Sequence, residues 1–181
     1  MSSVSPRSPG SPVLPLSPLS PVDPVRRLSG YGLAFLVLIA DQATKYAVHD
    51  FTPYGWSLPV TGFFNLVHVW NDGAAFSFLA DAGGWQRFFF GGVALVVSTW
   101  LVFELRKPLP LLERCAYAAL LGGALGNGLD RAFRGYVVDF LDFHARDWHW
   151  PAFNIADIGI VCGAALLVWW AFANRQPEAS T

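Results

Sequence analysis

Charged residues are scarce in this sequence. Asp, Glu, Lys and Arg make up 14% of the 181 residues, whereas hydrophobic residues make up 54%. Soluble domains carry about 25% charged residues, so the composition argues against that class and predicts a membrane protein. The net charge is -1, and basic residues do not alternate with aromatic ones along any one segment. The chain therefore lacks the positive surface with which nucleic-acid-binding proteins hold phosphates.

Cysteine and histidine are also few. Cys115 and Cys162 each lie inside an apolar run, which predicts neither a disulfide framework nor a paired metal or redox site. The four histidines are scattered, and no HExxH pattern places two zinc ligands on one helix face, which disfavours a metalloprotease. Ser77 and Ser98 have no histidine within helical reach, which disfavours a serine protease of the membrane.

Proline, in contrast, is abundant near the N-terminus. It recurs at every third position from Pro6 to Pro24, with serine in many of the gaps. This period matches the three residues per turn of a polyproline II helix. We expect residues 1–28 to form a disordered cytoplasmic extension, because the segment has too little apolar surface for a core. Binding of a partner through PxxP motifs is the alternative reading.

Four long apolar stretches follow the proline-rich segment. Each is close to the roughly 20 residues that cross a bilayer, and together they cover approximately Leu28–Val48, Trp85–Phe103, Leu111–Leu129 and Phe153–Ala173. The sequence therefore predicts an all-α integral membrane domain of four transmembrane helices over residues 29–174. Residues 175–181 are expected to form a cytoplasmic tail.

The first apolar stretch has one further reading, as a cleavable signal peptide. Arg26 and Arg27 precede a short apolar core, as they would in such a peptide. Asp41, Gln42 and Lys45 stand where small residues would form the cleavage site, and the apolar pattern resumes after them. These residues favour a permanent membrane helix.

Basic residues predict the orientation of the four helices. In short loops they stay cytoplasmic, and here they precede helix 1, lie between helices 2 and 3 and follow helix 4: Arg26, Arg27, Arg106, Lys107, Arg114 and Arg175. Both termini are therefore predicted to be cytoplasmic. On the opposite side, residues 62–70 are mainly β-branched and aromatic, and Asn71-Asp72-Gly73 is a turn signal before Ala74–Leu79. We expect a small β-hairpin or cradle on this outer face.

Ionisable side chains inside the predicted helices require a reason, because one near the bilayer centre costs about 2.5 to 3.5 kcal/mol. Asp41 and Lys45 are four residues apart on helix 1, so they share a face and are expected to pair. This pair is expected to support the structure more than to take part directly in a reaction.

One face of helix 3 becomes polar towards its outer end. Gly123, Asn127, Asp130 and Arg131 follow at spacings of four, three and one. Asp130 and Arg131 are explained by the exit of the helix from the membrane. Asn127 lies a turn deeper and needs a hydrogen-bond partner within the bundle.

Two further aspartates are candidates for one outer cleft. Asn154 and Asp157 share a face at the start of helix 4, where Asp157 alone is explained equally well as a favourable charge at a helix N-terminus. Asp139 lies in an extended run after helix 3, between apolar neighbours. If the chain folds back there, Asp139 returns to the layer in which Asp157 begins helix 4. We then expect the two carboxylates to face each other.

Five motifs run along the chain in a fixed order: Asp41-Gln42-Ala43-Thr44-Lys45, Asn71-Asp72-Gly73-Ala74-Ala75-Phe76-Ser77, Gly122-Gly123-Ala124-Leu125-Gly126-Asn127 with Asp130-Arg131, Gly135-Tyr136-Val137-Val138-Asp139-Phe140 and Phe153-Asn154-Ile155-Ala156-Asp157. In content and order they resemble the lipoprotein signal peptidase family, also called signal peptidase II. The resemblance runs from helix 1 to the end of helix 4 and leaves out the proline-rich segment.

The resemblance implies an aspartic endopeptidase that removes signal peptides from diacylglyceryl-modified prolipoproteins, cutting on the amino side of the lipidated cysteine. Asp139 and Asp157 match the catalytic pair, and Asp41 and Lys45 match a pair that supports the site. Other matching positions are expected to bind substrate: Asn71, Gly73, Gly123, Asn127, Arg131 and Asn154. We expect a multi-pass monomer among the lipids of the bacterial cytoplasmic (inner) membrane, active at its extracytoplasmic face.

The expected chemistry is that of two neighbouring carboxylates. They cannot both ionise cheaply, so they share one proton, and the ionised member activates water while the protonated member assists the carbonyl oxygen and the leaving amine. The sequence does not tell which aspartate has which part, and no metal or cofactor is expected.

The alternative function is that of a small four-helix transporter or channel, although an ion pathway would need polar residues through the full membrane depth.

Overall fold

The computed structural model describes residues 24–73 and 85–174, with side chains from residue 28 onward. Three predicted segments therefore lie outside the described residues. They are the extension up to residue 23, the second strand of the predicted hairpin at 74–79 and the tail at 175–181.

The helices lie where the apolar stretches predict them. They are α1 (Pro24–Phe51), α2 (Gln86–Glu104), α3 (Leu111–Phe133) and α4 (Ile155–Ala173). Helix α1 begins four residues before its predicted start, so the last part of the predicted extension is helical. Pro24 suits a first helical position, because proline fixes a helical φ and the amide it lacks has no partner there in any helix.

The β structure is larger than the predicted hairpin. Strands β1 (Ser57–Thr61), β2 (Phe64–Asn71), β3 (Val137–Ala145) and β4 (Trp148–His149) follow one another across one sheet. Strand β2 lies where the sequence predicts a strand, but it pairs with β1 and β3, both antiparallel. The second strand of the predicted hairpin lies outside the described residues, and within the described part of the chain β2 pairs with β1 and β3.

Helix α3 is the centre of the bundle and contacts α1, α2 and α4. Glycines permit the close approach of α3 to its neighbours. A Cβ at Gly163 would lie 2.7 Å from the carbonyl oxygen of Ala116, and one at Gly122 would lie 2.6 Å from that of Ala34. A larger residue at either position would push α3 away from its neighbour.

Two of the described helices, α2 and α4, are long and apolar enough to cross a membrane. Helices α1 and α3 carry more charge, in particular Asp41, Lys45 and Asp130, all of which are fully buried in the protein. Large apolar side chains cover the outside of the bundle, while this polar group lies inside it. The distribution is the reverse of that in a soluble helical bundle and suits a lipid environment.

Candidate active site

Asp139 lies on strand β3 and is 1% exposed. The register of β2 and β3 places Asn71 at the end of β2, where its Nδ2 donates to Asp139 Oδ2 at 3.0 Å. The oxygen of the same amide accepts the backbone N–H of Gly73 at 2.9 Å, which fixes the nitrogen towards Asp139. Gly73 has φ +95°, and a Cβ there would lie 2.7 Å from the Phe90 ring, so a side chain is excluded. The turn after β2 thus orients Asn71.

Asp157 lies in the first turn of α4, where Asn154 is the N-cap. The Oδ1 of Asn154 accepts the backbone N–H of Asp157 at 3.0 Å, and Asp157 Oδ2 accepts the backbone N–H of Asn154 at 3.2 Å. This reciprocal pair is a capping box. The remaining amide nitrogen of Asn154 donates to Asp139 Oδ1 at 2.6 Å. One side chain therefore connects both aspartates, and the two carboxyls border the same site.

Asn127 approaches Asp157 from α3. Its Nδ2 donates to Asp157 Oδ1 at 2.7 Å, while its Oδ1 accepts from Lys45 Nζ at 2.8 Å and from Asn154 Nδ2 at 3.3 Å. An ammonium group only donates, so Lys45 determines which end of the Asn127 amide faces Asp157. The partner that Asn127 needs inside the bundle is thus a lysine on α1.

Lys45 is fully buried between two carboxylates. Its Nζ lies 2.8 Å from Asp41 Oδ2 and 3.0 Å from Asp130 Oδ2. Asp41 also accepts the backbone N–H of Ala156 at 2.8 Å, so it binds one of the free amides at the start of α4. The ion pair predicted within helix 1 is present, and it extends to α3 and α4.

From the sequence, Asp130 is explained only by the exit of helix 3 from the membrane. In the structure it pairs with Lys45 and Arg134, and its Oδ2 accepts the backbone N–H of Val138 at 3.3 Å. That last contact holds strand β3 immediately before Asp139. The Asp130-Arg131 motif was the available signal for Asp130. It does not reveal the partner on α1, Lys45, which is 85 residues away in the sequence.

Arg131 and Gly123 complete the set of predicted site residues. One Nη of Arg131 donates to the backbone oxygen of Asn127 at 3.2 Å, and its guanidinium lies 5.3 Å from the centre of the Phe90 ring. Its Nε is buried and has no hydrogen-bond partner among the described residues. Gly123 lies against α4, where a Cβ would overlap the carbonyl oxygen of Ala156. In the structure, Gly123 allows α3 and α4 to pack closely behind the site.

The surroundings of Asp139 change its acidity. Burial, and to a lesser extent the negative charge of Asp157, raise the pKa of Asp139 from 3.8 to about 7. Hydrogen bonds from Asn71 and Asn154 and the charge of Lys45 oppose this rise in pKa. Asp139 therefore holds a proton for part of the time at neutral pH, as one member of a carboxyl pair must when it shares a proton.

Comparison with known proteins decides the family. The family model described as signal peptidase (SPase) II matches residues 33–173. The chain is 53% identical to a lipoprotein signal peptidase of Serratia marcescens over 164 residues, covering 86% of this chain and 96% of the relative. It is 54% identical to one of Ralstonia nicotianae over 138 residues, covering 76% and 80%. The chain belongs to the signal peptidase II family.

Solved structures agree with this family assignment. A bacterial membrane enzyme determined by the in meso method at 2.3 Å resolution superposes with a TM-score of 0.72 at 30% identity, covering 84% of this chain and 94% of that one. A second, at 1.9 Å, gives 0.71 at 31% identity, with 81% and 94% covered. The membrane class predicted from composition is confirmed at this level.

This member of the signal peptidase II family has an aromatic group beside its site that the sequence did not predict. The Trp70 ring stacks on Tyr136 at 4.3 Å, and its Nε1 donates to His68 Nε2 at 3.0 Å. His68 Nδ1 lies 3.0 Å from the backbone oxygen of Thr52, so it carries the proton. Trp70 precedes Asn71, and these contacts therefore fix the end of β2 from which Asn71 reaches Asp139. The aromatic and β-branched character of β2 indicated a strand without indicating these partners.

Proposed function

We propose that this protein is an aspartic endopeptidase that removes signal peptides from lipoprotein precursors, with Asp139 and Asp157 as its catalytic pair. Membership of the signal peptidase II family and the lipoprotein signal peptidases among its relatives support the activity. The observation that carries the residue assignment is the position of Asn154, which donates to Asp139 and caps the turn that holds Asp157. Asn154 donates to both carboxyls, with its side chain to Asp139 and with its backbone N–H to Asp157, and two carboxyls bound by one residue are close enough to act on one substrate bond.

In the proposed reaction Asp139 holds the shared proton and Asp157 is ionised. The raised pKa of Asp139 supports this division, as do the two hydrogen bonds that Asp157 accepts at a helix N-terminus. Asp157 removes a proton from water as the water oxygen attacks the scissile carbonyl, while the Asp139 hydroxyl donates to the carbonyl oxygen. The proton on Asp157 then passes to the leaving nitrogen as the C–N bond breaks, and the new carbonyl returns the proton to Asp139.

The other predicted site residues have supporting parts in this proposal. Asn71 and Asn127 orient one aspartate each, and Arg131 supplies positive charge beside both of them. Asp41 and Lys45 fix the start of α4 and the Asn127 amide. Gly73 leaves room at the turn after β2, and Gly123 allows α4 to approach α3.

The proposed substrate is a prolipoprotein whose cysteine carries diacylglycerol, cut on the amino side of that cysteine. An acylated substrate already partitions into the bilayer, so its scissile bond lies near the membrane boundary. We propose that all four helices cross the cytoplasmic (inner) membrane, with both termini cytoplasmic and the sheet on the extracytoplasmic face. Apolar side chains exposed around α2 and α4 and the basic residues between α2 and α3 support this topology. We further propose that the protein acts as a monomer and that the segment before Pro24 has no part in the chemistry.

The test is cleavage of a synthetic diacylglyceryl lipopeptide by purified protein. We expect Asp139→Asn and Asp157→Asn each to abolish cleavage while the protein inserts and accumulates. Asp142→Asn is the matched control, because Asp142 is a buried aspartate on the same strand whose partners are Asn65 and His149. It should retain most of the activity. Cleavage by either dyad variant at a rate near that of the wild type would refute the assignment of the catalytic pair.

A further inference from the structure

A cavity of about 530 Å³ lies between α2 and α3, and the site residue Arg131 is part of its lining. Arg87 and Arg131 lie at one end, and Ser98 lies at the other. Arg87 and Ser98 are eleven residues apart on α2, so the cavity is about 17 Å long at the helical rise of 1.5 Å per residue. This length is close to the depth of one leaflet, which is half of a hydrocarbon core about 30 Å thick.

The walls of this cavity are apolar between polar ends. Small or aliphatic residues from both helices line the middle, including Gly91, Gly92, Leu95, Leu125 and Gly128. At the far end Ser98 is only 5% exposed, and its hydroxyl has no hydrogen-bond partner among the described residues. At the near end the buried Nε of Arg131 also lacks a partner within the described part of the chain. The apolar middle thus suits a hydrocarbon chain, and the arginine end suits a polar head.

The width of the cavity distinguishes between two apolar occupants. A volume of 530 Å³ along about 17 Å gives a mean cross-section of about 30 Å². A helix about 10 Å in diameter needs about 80 Å², so the cavity is narrow for the helical part of a signal peptide. A single extended hydrocarbon chain does fit.

We propose that this cavity holds one acyl chain of the diacylglyceryl group on the substrate's cysteine. This inference rests on the proposed function. Arg131 connects the two sites, because it donates to the backbone of Asn127, whose side chain donates to Asp157. The glycerol ester lies at the Arg131 end, the chain runs towards Ser98, and the lipidated cysteine is left at the carboxyl pair.

The bound acyl chain helps the reaction by positioning the substrate. An acyl chain leaves lipid for a cavity of similar polarity, so the hydrophobic effect contributes little. Membrane lipid chains compete for the cavity, but a chain that is tethered to a peptide already bound at the aspartates has a high effective concentration there. Its docking fixes the distance between the lipidated cysteine and the carboxyl pair, which affects the rate of the chemical step.

The test uses two synthetic lipopeptides with the same peptide, one dipalmitoylated and one dibutyrylated. Gly91→Leu fills the middle of the cavity, and a Cβ at Gly91 meets no atom within 4 Å, so the helix can accept it. Ser98→Leu shortens the far end and removes a hydroxyl that has no partner in the described structure. Gly32→Leu on α1 is the matched control, since Gly32 also has open space around its Cβ position and does not line the cavity.

We expect both cavity variants to lose about tenfold in kcat/KM on the dipalmitoyl substrate and less than about twofold on the dibutyryl substrate. The control should match the wild type on both. Equal losses on the two substrates, or no loss on either, would overturn the proposal. Equal losses together with loss of a copurified phospholipid, seen by native mass spectrometry, would assign the cavity to a structural lipid. If the wild type cleaves neither lipopeptide, the proposed function itself fails.

Discussion

The side-chain nitrogen of Asn154 lies 2.6 Å from Asp139 Oδ1. Asn154 belongs to the N-cap of α4, whereas Asp139 lies on β3, so one hydrogen bond joins a helix start to a sheet. The rest of the Asn154 amide is occupied by the capping box with Asp157. Because the cap fixes the amide, the distance between the two aspartates is determined by backbone structure and not by mobile side chains.

Substitutions of Asn154 should separate its role as helix cap from its contact with Asp139. Asn154→Ala removes the cap and the contact with Asp139, so we expect a loss of about 1 kcal/mol in stability and about 10²-fold in cleavage rate. Asn154→Ser restores a capping oxygen but offers no amide nitrogen to Asp139. Thermal unfolding of the serine variant should approach that of the wild type while its cleavage rate stays low. Recovery of cleavage along with stability would show that Asn154 acts only as a cap.

The pH dependence of cleavage should report the proton on Asp139. With its pKa raised to about 7, Asp139 loses that proton above neutrality, so kcat/KM should decline on the alkaline side from about pH 7. Asn71→Ala removes a hydrogen bond that lowers the pKa of Asp139, so the pKa rises and the alkaline limb moves to higher pH. The measurement is kcat/KM against pH for both proteins. A limb that stays in place or moves to lower pH contradicts this assignment.

Removal of the Lys45 charge should destabilise the bundle. Lys45→Met leaves Asp41 and Asp130 buried without their shared counter-ion, for which we expect a cost of about 3 to 5 kcal/mol. The matched control is Lys107→Met, which breaks an ion pair with Glu104 in which the lysine is 59% exposed and should cost less than about 1 kcal/mol. Thermal unfolding in detergent compares the two variants. Equal shifts in Tm would mean that the buried ion pairs contribute no more than the exposed one.

The stack beneath Asn71 should contribute to catalysis. Trp70→Phe keeps a ring on Tyr136 and loses only the hydrogen bond to His68, so a loss of a few-fold in kcat is expected, near 1 kcal/mol. Trp70→Ala also removes the stack, releases the end of β2 and should lower kcat further. Steady-state kinetics at saturating substrate decide between the two. Similar kcat values for both variants would show that the stack does not hold Asn71 in place.

Part of this structure could be read directly from the order of the residues. Apolar length predicted the helices to within a few residues at most ends, and β-branched residues predicted strand β2. The placement of Asp139 in an extended run after helix 3 is confirmed by β3. These features depend on neighbours a few residues apart, so local periodicity is sufficient to predict them.

The partners with which the strands pair are harder to predict from the sequence. The sequence predicted strand β2 but not its partners β1 and β3, and β3 begins 66 residues after the end of β2. The turn signal at Asn71-Asp72-Gly73 is present, and Gly73 has positive φ and orients Asn71. A turn motif fixes local backbone geometry and leaves the choice of strand partner open.

The sequence by itself determined which residues are available for chemistry, because an aspartate or asparagine within an apolar helix is costly and stands out against its neighbours. Only the tertiary structure decided how they connect: Lys45 with Asn127 and Asp130, Asp41 with the start of α4, and Asn154 with Asp139. The same is true of the pKa of Asp139, which depends on burial, on hydrogen bonds from Asn71 and Asn154 and on charges from α1 and α4. Hydrogen bonds and desolvation act over a few ångströms in space, and those distances are set by the packing of α1, α3, α4 and the sheet.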